Sequence, residues 1–193
     1  MQSATLLPDG VHHWTAKHPE WDGPEVSSYA VDDGERLLLI DPLAVPDDLD
    51  TSNREVIVLL TNTWHERDAA KLGFPVWAPA PDRPEEQLVP ATRFAPGDRL
   101  PFGVEVFGGR EGDLDVVLWI ESCRAVTAGD TLVAFEHGLE IPEKWLPDGV
   151  TVADVKATLR PLLDKPIDVV LPTHGAPTDR AALERALGAE PTG

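Results

Sequence analysis

The run from Thr61 to Asp68, Thr-Asn-Thr-Trp-His-Glu-Arg-Asp, puts one imidazole, two carboxylates and a guanidinium into a single turn. His65 suits proton transfer or metal binding, because an imidazole changes charge near neutral pH and its neutral ring offers a lone pair. Glu66 and Asp68 are oxygen donors. Arg67 is a permanent cation whose planar fork matches a carboxylate. Three further side chains follow apolar, strand-like runs: Asp41 after Leu37–Ile40, Asp130 after Ala125–Gly129, and His174 after Val169–Thr173. Strand ends are where α/β proteins collect reactive groups. His65, Asp130 and Arg67 are the candidates for catalysis. For His65 three roles stay open: metal ligand, general acid or base, and a turn residue bonded to backbone. Asp41 reads first as a turn cap, and Asp130 reads equally as site or turn.

Other chemistries have weaker footing. Cys123 lies between two strand patterns and reads as a buried thiol rather than a nucleophile. Gly108, Gly109 and Gly112 precede neither a Lys-Thr pair nor a helix pattern, so they do not make a phosphate loop. No G-x-S-x-G elbow is present. His12, His13 and His18 lack ligand spacing with acids and read as surface or edge residues, and His137 as a solvated loop residue.

The elements that must position these groups are short. Residues 25–31 alternate, Asp32–Glu35 is a hairpin turn signal, and residues 36–42 form a mostly buried strand. Residues 55–61 are apolar and β-branched. Residues 66–73 read as a short helix closed by Gly73, and 74–79 as another strand. Pro79–Pro90 is rich in proline and charge and reads as a surface loop. Strands follow at 103–109, 115–121 and 124–130, then a long loop from Thr131 to Gly149. A helix is expected over Val152–Leu163 with Thr151 as N-cap and Asp154 completing the box. Residues 167–175 form a buried strand. The last helix is expected to start after Thr178 and stop at Gly188.

Composition narrows the function classes. A net charge of −18, from 34 acids against 16 bases, opposes binding to a phosphate backbone or an anionic membrane surface. One cysteine rules out an internal disulfide framework and fits a reducing compartment. The opening stretch, Met-Gln-Ser-Ala-Thr-Leu-Leu-Pro, has no basic start followed by an apolar run, so a cytoplasmic location is expected. A chain of 193 residues suits one domain, expected to span 1–193.

The order of Asp41, the Asn62–Asp68 turn, Ala-Gly-Asp at 128–130 and Pro-Thr-His-Gly at 172–175 resembles the metallo-β-lactamase superfamily. The resemblance covers nearly the whole chain and includes Ser-Ser-Tyr-Ala-Val at the opening hairpin. It implies an αββα sandwich of two mixed β-sheets flanked by helices. It also implies a hydrolase that activates water with one or two metal ions. Laid over this chain, the family's H-x-H-x-D-H motif falls on Asn62, Trp64, Glu66 and Arg67, and its mid-chain histidine falls on Gly109. The first metal position, Asn62, Trp64 and Gly109, is therefore expected to be lost, with Trp64 narrowing the cavity. The second would be Glu66, Asp130 and His174. With the turn shifted by one residue, His65 and Asp68 would join Asp130 and His174 instead. Arg67 is expected to pair with Glu66 or Asp130 and supply the charge of the missing ion. The cleft then holds one zinc or manganese ion or none. The implied function is a hydrolase-like protein of unknown substrate, with a non-catalytic small-ligand-binding protein as the alternative.

Overall fold

The computed structural model describes residues 7–81, 83–110 and 112–188. The first six residues, part of the stretch read for a leader, lie outside them. The first sheet has the order β1 (Val11–Ala16), β2 (Val26–Asp32), β3 (Arg36–Ile40), β4 (Glu55–Leu59), β5 (Val76–Ala78) and β6 (Thr92–Arg93). β1 to β3 pair antiparallel, and β3 to β6 run parallel. The second sheet contains β7 (Arg99–Leu100), β8 (Val104–Gly109), β9 (Gly112–Ile120), β10 (Ala125–Ala128), β13 (Val169–Pro172) and β14 (Thr178–Asp179). Only β10 and β13 are parallel there. A small hairpin, β11 (Val133–Phe135) and β12 (Gly138–Glu140), stands beside it. Helix α1 (Ala69–Leu72) covers the first sheet, and α2 (Val152–Leu159) and α3 (Arg180–Leu187) cover the second.

Strand periodicity explains the layering. In β3, Leu38 and Ile40 face the core between the sheets, where they meet Val104, Leu118 and Leu171. Leu37 and Leu39 point the other way and pack with Ala69 and Leu72 of α1. A strand covered on both faces reads as continuously apolar, which is why Arg-Leu-Leu-Leu-Ile shows no alternation. Val117, Trp119 and Val170 face Val155, Leu159 and Leu183. The architecture is the expected αββα sandwich.

Four local expectations change. Arg67 adopts φ 44°, in the left-handed region, so the helix read over 66–73 shortens to the four-residue α1, and a separate turn forms before it at Thr63–His65. Pro161 cannot donate to the ladder, and α2 tightens after Leu159 into a 3₁₀ turn, Arg160–Asp164. The Thr151–Asp154 capping box forms as expected. Thr178 joins β14, and Asp179 caps α3 instead by accepting from the Ala182 N–H. The long loop after Asp130 folds into the β11–β12 hairpin, and β1 adds an edge strand whose polar residues mask its pattern.

Leu118 is fully buried between the sheets. Leu118→Ala should cost about 2–5 kcal/mol in urea unfolding. Lys71→Ala, which removes only an exposed pair with Asp68, should cost about 1 kcal/mol or less. Equal losses would contradict this placement of the core.

Candidate functional site

The parallel pairs β3–β4 and β10–β13 bring four carboxyl strand ends to one edge of the sandwich. Asp41 follows β3, Asn62–Arg67 follow β4, Asp130 follows β10 and His174 follows β13. The two sheets are joined there by backbone bonds, from Ser27 N to Thr173 O at 2.9 Å and from Val116 N to Thr61 O at 2.9 Å. The Tyr29 hydroxyl donates to Pro172 O at 2.7 Å. These ties hold a cleft of about 540 Å³, lined on its floor by His65, Arg67, Arg110, Asp130 and His174.

Asp130 Oδ1 lies 2.9 Å from His174 Nε2 and 3.3 Å from His65 Nε2. Its other oxygen accepts from Arg110 Nη2 at 2.9 Å. Arg110 Nε donates to the fully buried Asp115 at 2.9 Å, and Nη1 donates to the Trp145 carbonyl. The other nitrogen of His65, Nδ1, sits 2.9 Å from Asp41 Oδ2. Asp41 in turn accepts from the Thr61 N–H and hydroxyl at 2.9 and 2.5 Å.

These contacts set the protonation states. Burial would depress His65, but the charges of Asp41 and Asp130 outweigh it and push its pKa up to about 9. Burial would raise Asp130, but His65 and His174 hold its carboxyl far below the usual range. Burial, assisted by Asp130, pushes Asp115 up to about 7. Burial lowers His174, against the pull of Asp130, and its buried Nδ1 has no hydrogen-bond partner among the described residues.

Of the residues singled out in the sequence, His65, Arg67, Asp130 and His174 meet in the cleft, and Glu66 and Asp68 do not. The Glu66 carboxylate turns away to accept from the Val89 N–H at 3.2 Å and faces Arg83 at 3.5 Å. Asp68 caps the Ala44 N–H and pairs with Lys71. The shifted ligand set is thus assembled without Asp68, and the unshifted one without Glu66. Arg67 pairs with neither Glu66 nor Asp130. Its Nη1 donates to the carbonyls of Ser27 at 2.8 Å and Asp41 at 2.6 Å. The left-handed turn at Arg67 aims it back over β2 and β3. Arg110, not Arg67, is the guanidinium that bridges two carboxylates.

The Asn62 side chain caps the turn by accepting from Trp64 N at 2.9 Å. Trp64 is 58% exposed at the cleft rim, so it flanks the cavity rather than filling it. A Cβ on Gly109 would stand 2.1 Å from the Asp115 carbonyl oxygen, leaving room for no side chain. Sequence reasoning preferred a capping role for Asp41 and missed Asp115, Thr61, Trp21 and Trp145. Trp21 and Trp145 meet the His174 ring edge-on at 4.9 and 5.4 Å. His18 also lines the cleft. The one available signal was Asp115, an acid inside an apolar strand. Cys123 is buried, and burial raises its thiol to about 11, which makes it a poor nucleophile.

One donor atom each from His65, Asp130 and His174 lies within 4.8 Å of the other two. Two imidazoles and a carboxylate fit one ion with an open coordination position. Asp41 on the far nitrogen of His65 matches the carboxylate partner that orients a ligating imidazole. Among the described residues no second such group of His, Cys, Asp and Glu donors is found: Asn62 Oδ1 accepts in its cap, Trp64 offers no ligand atom, and Arg110 holds Asp115 and the second Asp130 oxygen.

No protein-family model matches the chain, and no curated protein sequence does. Solved structures do match. A metallo-β-lactamase from Erythrobacter litoralis, solved with β-mercaptoethanol in its active site, superposes with TM-score 0.68 at 18% identity, over 95% of this chain and 93% of that one. The DIM-1 metallo-β-lactamase matches with TM-score 0.67 at 17% identity, over 96% and 95%. A metallo-β-lactamase from Hirschia baltica matches with TM-score 0.63 at 17% identity, over 95% and 94%.

Two outcomes test the site's electrostatics. Arg110→Ala leaves the buried Asp115 without its cation and Asp130 with its imidazoles alone, and should cost about 3–5 kcal/mol. Adding Asp115→Asn should recover part of that loss, and strictly additive losses would contradict the pairing. Because the folded pKa of His65 lies above its unfolded value, its stabilisation is complete below about pH 6.5. It is lost as pH rises through about 9. Metal-free protein should therefore lose stability over that window, and Asp41→Asn should flatten the loss. An NMR titration placing the His65 midpoint below its ordinary value would contradict the assignment.

Proposed function

We propose that this chain, which has the metallo-β-lactamase fold, is a single-domain, hydrolase-like protein with a degenerate site. The site takes a small molecule and holds at most one metal ion, zinc or manganese. The observation that carries this reading is the convergence of His65, Asp130 and His174 from both sheets, beside groups that exclude a second ion.

A bound ion would supply a water of lowered pKa and polarise a substrate oxygen. The remaining roles belong to the chain's own residues. Asp41 fixes the His65 ring through Nδ1, so that Nε2 points toward Asp130. Arg110 holds the Asp130 carboxylate in place from its other side. Trp21 and Trp145 pack on His174 and keep water from that side of the floor. Arg67 contributes positive charge beside the reacting centre.

A second reading, a non-catalytic ligand-binding protein without metal, is favoured by one observation. Asp41, Asp115 and Asp130 are already met by His65 and Arg110, so the cleft's carboxylates have cations without an ion. In either reading the partner is a small molecule rather than nucleic acid or membrane, in keeping with the charge of −18. Among the described residues no helix is long and apolar enough to cross a membrane. A cytoplasmic location belongs to the same proposal and rests on the single cysteine.

Elemental analysis after purification without chelator should find no more than one equivalent of zinc or manganese. His174→Ala should remove that equivalent, together with any hydrolysis in a screen of chromogenic esters, thioesters and lactams. Two equivalents per chain would overturn the proposal. No metal and no turnover would leave the binding reading.

A further inference from the structure

The two imidazoles that meet at Asp130 are held in different ways. His65 is fixed through its far nitrogen, where Nδ1 lies 2.9 Å from Asp41 Oδ2. His174 has no such hold, because its Nδ1 is buried and has no hydrogen-bond partner among the described residues. A metal-ligating imidazole ordinarily takes its orientation from a partner on its second nitrogen. The direction of the His174 ring must instead come from the backbone that carries it, with the edge-on rings of Trp21 and Trp145 packed beside it.

Three successive carbonyls of that backbone are bonded. Thr173 O accepts from Ser27 N at 2.9 Å, His174 O from Ala134 N at 2.8 Å, and Gly175 O from the Ser27 hydroxyl at 2.7 Å. One buried residue of β2 therefore grips the chain on both sides of His174. The turn also runs tight against β11: Gly175 has φ 104°, and a Cβ there would stand 1.9 Å from the Ala134 carbonyl oxygen. A hydroxyl has one proton, and Ser27 gives it to Gly175. His13 Nε2, 2.9 Å from the same hydroxyl oxygen, is then the donor to it. Burial lowers the His13 pKa, so at neutral pH the ring is uncharged with its proton on Nε2. That ring stacks on Tyr29 at 4.9 Å, which fixes its plane, and the Tyr29 hydroxyl bonds the Pro172 carbonyl two residues before His174.

We infer that Ser27 is a positioning residue for His174, and that His13 sets the direction of the Ser27 hydroxyl. Neither residue lines the cleft, so both act through the main chain. With Gly175 O released, the turn gains freedom about His174, and Nε2 leaves its place 2.9 Å from Asp130 Oδ1. The part of His13 follows from the count of protons. Without an N–H behind it, the hydroxyl is free to turn away from Gly175. As far as it concerns a bound ion, this inference rests on the one-ion reading above. The ring geometry does not, because the same contacts hold His174 in the metal-free chain.

The test has two readouts on the full chain after treatment with chelator: the His174 imidazole signals by NMR, assigned by their loss in His174→Ala, and the affinity for added zinc by calorimetric titration. Ser27→Ala should displace or broaden the His174 signals and weaken zinc binding about tenfold, the size usual for loss of a group that orients a ligand. His13→Ala should move both readouts in the same direction by less, and should add nothing once Ser27 is alanine, because it acts through that hydroxyl. His13→Gln, which returns an N–H donor, should restore the parent values. Leu37→Ala, buried on the far face of β3 under α1, should lower the melting temperature without moving either readout. His174 signals unchanged in Ser27→Ala overturn the inference whatever the zinc affinity does, as does an equal displacement in Leu37→Ala. Should Ser27→Ala fail to fold, the two His13 variants decide by the same readouts, and a His13→Ala variant with parent signals overturns it. A parent that takes no zinc, yet whose His174 signals respond to Ser27→Ala, supports the inference and removes the one-ion reading.

Discussion

The Asp130 carboxylate is the point on which the cleft depends. It lies at the end of β10, where one oxygen serves two imidazoles from opposite sheets and the other serves Arg110. Such a group is costly to bury, because desolvation opposes its charge. It stays ionised because three partners surround it. Each partner is held in turn: His65 by Asp41, and Arg110 by Asp115 and the Trp145 carbonyl. These groups come from β3, β4, β8, β9, β10 and β13 or the turns beside them, so the network links the two sheets. The sandwich is therefore closed at this edge by polar contacts, and elsewhere by apolar packing.

Seen from that carboxylate, the differences between this cleft and the ligand motif of the resembled superfamily have a consistent physical sense. The positions on which that motif's first-ion ligands fall carry a turn cap at Asn62, a rim indole at Trp64 and Gly109, where a side chain would meet the Asp115 carbonyl. A guanidinium now stands between Asp115 and Asp130. It brings one positive charge on a planar fork, enough to compensate buried carboxylates but without an open coordination position. The cleft brings together three donors, from His65, Asp130 and His174, within 4.8 Å of one another.

Much of the fold was legible in the sequence. The hairpin at Asp32–Gly34, the buried β3 and β4, the capping box at Thr151 and the stop at Gly188 are local signals, each set by turn chemistry or by burial on both faces of a strand. The order of motifs at strand ends carried a resemblance that implied the αββα sandwich. The hairpin after Asp130 and the edge strand β1 were hidden, because their pairing is stabilised by neighbours distant in the chain rather than by their own periodicity.

The chain by itself determined which side chains could do chemistry and that they sit at strand ends, because strand and turn preferences act over a few residues. It could not decide their direction. Within one turn, His65 faces inward, Glu66 faces Arg83, Arg67 doubles back over β2, and Asp68 caps a neighbouring loop. That choice follows from the left-handed backbone at Arg67 and from acceptors on β2 and β3 that are twenty-four to forty positions away. Only the tertiary structure could transfer the bridging role from Arg67 to Arg110, since side-chain direction in a turn is set by whichever distant partner offers the buried charge its hydrogen bond.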